Sequence, residues 1–104
     1  MRLFILTACL AGLLIPAMAR AATVPVVIDN YAFSPKTVVV HAGDSVMWTN
    51  KDSVPHTVKA LDGAFDSATI DPGKTYRFTF AKAGDHAYRC GIHPEMRATV
   101  TVKP

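Results

Sequence analysis

From residue 22 onward, short apolar runs alternate with turn residues, a pattern that reads as all-β. Val24–Asp29 is the first strand, and Thr37–His41, rich in β-branched residues, is the next. Ala42-Gly43-Asp44 turns the chain into Ser45–Asn50. There Val46, Trp48 and Asn50 share one face, because strand side chains alternate. A polar loop, Lys51 to Pro55, leads to His56, and His56–Ala60 reads as a short strand. Phe65–Ile70 fits either a loop or an edge strand. Asp71-Pro72-Gly73 is a strong turn signal ahead of Lys74–Phe80, where Tyr76, Phe78 and Phe80 alternate with polar residues. After a turn at Lys82-Ala83-Gly84-Asp85, His86–Cys90 and Arg97–Val102 complete the set. Seven or eight short strands at this spacing predict an antiparallel sandwich or barrel, with Trp48, Tyr76, Phe78 and Phe80 in its core.

The first stretch reads differently. Arg2 precedes an apolar run from Leu3 to Ile15, Pro16 breaks it, and Ala19-Arg20-Ala21 has the small-x-small form of a secretory cleavage site. Residues 1–21 are therefore expected to be a signal peptide, with 22–104 a single domain exported to the periplasm. The apolar run is short for a membrane span, which needs about 20 residues. Leu6-Thr7-Ala8-Cys9 resembles a lipoprotein box but sits too early, with apolar residues continuing beyond it.

Losing the leader removes Arg2 and Arg20 and lowers the net charge from +3 to +1, with His neutral. Nothing in that balance suggests a nucleic-acid or polybasic membrane surface. Cys9 goes too, leaving Cys90 alone. A lone cysteine in an exported protein calls for explanation, and no disulfide within the chain can supply it. A metal held through Cys90 would tie up the thiol and add a staple to a small domain.

Cys90-Gly91-Ile92-His93-Pro94-Glu95-Met96 offers a thiolate, an imidazole and a thioether on one short connection between two strands. His56 offers a second imidazole from elsewhere in the fold. Two His and one Cys in a plane, with a weak axial Met, form the ligand set of a blue-copper electron-transfer centre. His86 lies four residues before Cys90 on an extended strand, about 13 Å away at ~3.3 Å per residue. It cannot share an ion with Cys90, and by parity it faces inward with Tyr88. His41 ends a strand before a turn and reads as exposed. Met47, opposite in parity to Trp48, is expected to be partly buried.

With these motifs in hand, the chain resembles the cupredoxins, most closely the amicyanin type. The matching stretches are Tyr31-x-Phe33-x-Pro35, Gly43-Asp44-x-Val46-x-Trp48-x-Asn50, Pro55-His56, Pro72-Gly73-x-Thr75 and Gly84 through Met96. The two-residue gap between His93 and Met96 singles out the amicyanin type. The resemblance implies a Greek-key β-sandwich of about eight strands and one type I copper ion held by His56, Cys90, His93 and Met96. It implies a monomeric one-electron shuttle between periplasmic redox proteins, a dehydrogenase on one side and a c-type cytochrome or oxidase on the other. In amicyanins the donor is methylamine dehydrogenase. Gly91-Ile92 replaces the usual Thr-Pro, Glu95 an aromatic and Ala98 a frequent Gly; Glu95 puts a charge on the rim beside His93, so that particular donor does not carry over, while Thr57, where Asn is common, changes the surroundings of the ligands.

His93, on the loop, is then the expected exit for the electron, with His56 more buried. No position is left for a substrate, so no enzymatic activity is expected. Two other classes use the same residues. A copper chaperone or store would need an exchangeable site, which the full ligand set disfavours. A thiol enzyme would use Cys90 with His93 as base.

Overall fold

The computed structural model describes residues 21–104; the expected signal peptide falls almost wholly outside them. Eight strands form two four-stranded sheets. In chain order they are β1 (Thr23–Asp29), β2 (Ala32–Ser34), β3 (Thr37–His41), β4 (Ser45–Asn50), β5 (Lys59–Ala60), β6 (Thr75–Thr79), β7 (Gly84–Arg89) and β8 (Arg97–Lys103). One sheet has the order β2-β1-β4-β6 and the other β3-β8-β7-β5. The all-β expectation holds, but the sandwich is not purely antiparallel. β1 runs parallel to β4, and β3 parallel to β8. Parallel neighbours need a crossover between sheets, and such a connection leaves no local mark on the sequence.

Alternation fixes which side chains enter the core. On β4, Val46, Trp48 and Asn50 all point inward and are buried. On β7, His86 and Tyr88 point inward, and Cys90 continues that face. Fully burying one such large apolar side chain contributes about 1.5–3 kcal/mol. Trp48 packs at the centre, its indole N–H donating to the Tyr88 hydroxyl at 3.1 Å. Burial raises the Tyr88 phenol to about 12, so it stays a neutral partner.

Several elements differ from expectation. Tyr76 and Phe78 are only half-buried, because β6 is an edge strand whose inner face meets the rim of the core. Phe65 fills the core in their stead, stacked near Trp48, Phe78 and Phe80. The stretch from His56 holds strand only at Lys59–Ala60, and Phe65–Ile70 forms bridges at Asp66 and Ile70 rather than a strand. β2, only three residues long, escaped the pattern. Met47 is partly buried and His41 exposed, as expected. The Asp71-Pro72-Gly73 turn closes with the Lys74 amide on the Asp71 carbonyl at 3.0 Å, Gly73 taking a φ of 82°.

Candidate metal centre

Three loops converge at one end of the sandwich. The first follows β4. Buried Asn50 donates through its side-chain amide to the carbonyls of Val54 and Ile70, both at 2.9 Å, and accepts from the Asp52 amide. These bonds curl residues 50–56 back toward the core. His56 then pairs with Ile70 through two main-chain bonds, which fixes its backbone.

The second is the tight connection from β7 to β8. The Cys90 amide donates to the Met96 carbonyl at 3.0 Å, and the Met96 amide donates to the His93 carbonyl at 2.9 Å. That double closure turns Cys90, His93 and Met96 within one small loop. Cys90 and Met96 are buried, and His93 is half-buried.

The third is the β1–β2 hairpin. Asn30 and Tyr31 take φ values of 51° and 57°, the left-handed pair that a two-residue hairpin turn demands. The Tyr31 ring packs at right angles to those of His56 and His93, with centroids 5.6 and 4.9 Å away.

Around the sulfur the geometry is specific. Nδ1 of His56 and Nδ1 of His93 each lie 3.7 Å from Cys90 Sγ, and the three donor atoms all lie within 4.8 Å of one another. Metal bonds of about 2.3 Å to sulfur and 2.0 Å to nitrogen, meeting at 120°, hold S and N about 3.7 Å apart. Both sulfur–nitrogen spacings therefore fit a metal that these three side chains would hold.

The surrounding groups fit as well. Asp52 Oδ2 accepts from His56 Nε2 at 2.9 Å and from the Tyr31 amide at 3.0 Å. An ionised carboxylate can only accept, so the ring hydrogen sits on Nε2 and Nδ1 is the nitrogen free to ligate. The Tyr31 amide, then His56, hold the Asp52 carboxyl below its ordinary value. The Thr57 amide donates to Cys90 Sγ at 3.3 Å. Burial pushes the Cys90 thiol up, but the hydrogen bond from the Thr57 amide, the neighbouring His56 and His93 rings and the Ile92 amide together outweigh it and lower it to about 6. A thiolate is the form a metal requires.

Thr57 also joins the loops. Its hydroxyl accepts from the Gly91 amide at 2.6 Å, and a Cβ at residue 91 would lie 3.0 Å from that oxygen. His56, Cys90 and His93 thus meet as the sequence reading expected, and Met96 lies buried on the same loop. His86 and His41 stand apart, as expected; His86 instead pairs with Asp62 at 3.1 Å. Asp52 and Tyr31 were missed as contributors. Asp52 sits four residues before His56 in a polar loop, and only the fold aims it at the ring.

A cupredoxin-like domain profile matches residues 2–102. The chain belongs to the cupredoxin family. It is 32% identical over 94 residues to amicyanin from Paracoccus denitrificans, covering 84% of this chain and 72% of that one. It is 36% identical over 96 residues to the chloroplastic plastocyanin of Tetradesmus obliquus, covering 80% and 66%. Among solved structures it is similar to a purple cupredoxin from Nitrosopumilus maritimus, with TM-score 0.72, 30% identity and coverage of 77% and 99%. It is also similar to a Cu(I) amicyanin variant, with TM-score 0.74, 30% identity and coverage of 83% and 86%. Cupredoxins are electron-transfer proteins rather than enzymes, built on one type I copper ion.

Proposed function

We propose that this cupredoxin is a periplasmic one-electron carrier. Its copper would be held by His56, Cys90 and His93, with Met96 as a fourth, weaker ligand. The observation that carries this reading is the donor triangle: two imidazole nitrogens each 3.7 Å from one buried sulfur. Copper bound there supplies a Cu(I)/Cu(II) couple.

The chain's own residues do the rest. Asp52 holds His56 in one tautomer and one orientation. The Thr57 amide stabilises negative charge on Sγ, and its hydroxyl keeps the two ligand loops in register. Burial of Cys90 and His56 keeps water from the sulfur. His93, half-exposed beneath Tyr31, is the route by which an electron reaches the surface.

On this reading residues 1–21 are a signal peptide, the mature protein is a monomer, and its donor and acceptor are redox proteins: a dehydrogenase, a c-type cytochrome or an oxidase. The alternative is a periplasmic copper chaperone or store. Buried Cys90 and His56 favour retention over exchange.

The deciding experiment is an absorption spectrum of the exported protein loaded with Cu(II), with its mass. An intense thiolate-to-copper band that bleaches on reduction and returns on oxidation, on a chain starting at residue 22, is expected. A colourless complex, or copper lost quickly to a mild chelator, would overturn the carrier reading.

A further inference from the structure

We infer that the outer face of the β3-β8-β7-β5 sheet, at its metal-loop end, is a docking surface for the acidic face of a redox partner protein. Pairing registers place Lys59 opposite Arg89, and Arg89 opposite Arg97. Alternation turns all three outward, since Ala60, Tyr88 and Ala98 next to them are buried. Strands about 4.8 Å apart put three cations within about 10 Å. Exposed Lys36 extends the row beyond Arg97, lining the same shallow depressions.

Like charges directly opposite one another weaken a sheet. This row is not relieved from within the molecule. Among the described residues, the ion pairs are His56–Asp52 and His86–Asp62, and none involves these four cations. Two carboxylates flank the row, Asp66 opposite Lys59 and Glu95 just before Arg97. Neither is paired to it, and Asp66 accepts instead from the Ala68 amide. A chain that reads as nearly neutral after its leader has thus gathered four of its cations on one strip. Such a patch speeds encounter with an opposite charge.

The strip adjoins the metal loop. Arg89 immediately precedes Cys90, and the Lys59 side chain lies 4.0 Å from where a Cβ on Gly91 would be. Exposed Leu61, bonded to the Ala87 carbonyl one row away, adds an apolar contact beside the charges. Discrete cations bordered by carboxylates and an apolar side chain suit a protein with separated acidic groups. They suit the denser phosphate charge of DNA or of an anionic bilayer less well than spaced carboxylates.

That the partner is a redox protein rests on the carrier reading above; the surface itself can be tested without electron transfer. The Cu(I) protein, labelled with nitrogen-15, is titrated with poly-L-glutamate at low salt. Amides of Lys59, Ala87–Arg89 and Arg97–Thr99 should shift, and the shifts should vanish at about 200 mM salt. The double variant Arg89→Glu/Arg97→Glu should bind at least tenfold more weakly while melting no lower than wild type. Absence of shifts, shifts centred elsewhere, or undiminished binding by the variant would overturn the proposal. So would equal or tighter binding to phosphatidylglycerol vesicles or duplex DNA. In a second arm, hexacyanoferrate(III) should oxidise the wild type several-fold faster than the variant at low salt and equally at high salt. Equal rates at low salt would also count against the surface. If hexacyanoferrate oxidises neither protein, the carrier reading fails and the polyglutamate titration still judges the surface.

Discussion

Two buried histidines of this cupredoxin each bond an aspartate, yet they end in opposite chemistry. His56 meets Asp52 at 2.9 Å and His86 meets Asp62 at 3.1 Å. The difference lies at the other ring nitrogen. In His56 it faces the Cys90 sulfur and a second imidazole. In His86 it lies 3.3 Å from the Lys82 carbonyl, and the ring stands apart from the cluster of donor side chains. A histidine–carboxylate pair therefore does not by itself mark a metal centre. At one end of the sandwich the pair orients His56 toward the Cys90 sulfur. At the other it fastens the loop after β5 to the turn before β7.

The largest test of that contrast is removal of each ring. His56→Ala or Cys90→Ser should abolish the blue band, while His86→Ala should leave it intact and lower stability by about 1–3 kcal/mol through lost buried hydrogen bonds. Spectra and urea melts of the three variants read this directly. A colourless His86→Ala protein that is still folded would erase the distinction.

Next come the carboxylates. Groups that orient a ligand typically account for 10–100-fold in metal affinity. Asp52→Asn should weaken copper by about that factor, measured by competition with a chelator. Asp62→Asn should leave affinity unchanged and cost at most about 1 kcal/mol, because Asp62 is half-exposed.

Acid should reach the two ends in different windows. In the metal-free protein the Cys90 thiol is lowered to about 6 from 9.0. A lowered acid stabilises the fold in full above its unfolded value and loses that contribution as pH falls through the folded one. The metal-binding end should therefore loosen between about pH 9 and 6. The Asp62 carboxyl is held below its ordinary value by the Ala64 amide against the effect of burial, and then by His86. Its contribution is complete above about pH 4 and is lost only below that. Thiolate absorbance near 240 nm for the apo form, alongside melting at each pH, checks both. A thiol midpoint near 9.0 would contradict the first window.

The smallest effect concerns Met96. Met96→Leu should keep the copper and shift the reduction potential, followed by voltammetry. An unchanged potential would remove Met96 from the ligand set.

How far the sequence carried depended on whether a role was local. Cys90, His93 and Met96 lie within one loop, so their spacing was enough to propose them together. Trp48 follows from strand parity. Asp52 did not declare itself, because its aim at His56 depends on Asn50 curling the loop and on the Tyr31 hairpin supplying a second donor. The two parallel pairings were hidden for the same reason: they depend on which strands meet, not on what either strand is made of. Tyr76 and Phe78 carried the right pattern for a core and lost it to an edge position.

The bridge from the Thr57 hydroxyl to the Gly91 amide, at 2.6 Å, has a further consequence. It couples the segment bearing one imidazole to the segment bearing the thiolate without recourse to any ion. The polypeptide's own hydrogen bonds thus help to hold the donor side chains in place. Gain or loss of an electron would then move few heavy atoms, and the pace of exchange passes to how often and how squarely two proteins collide.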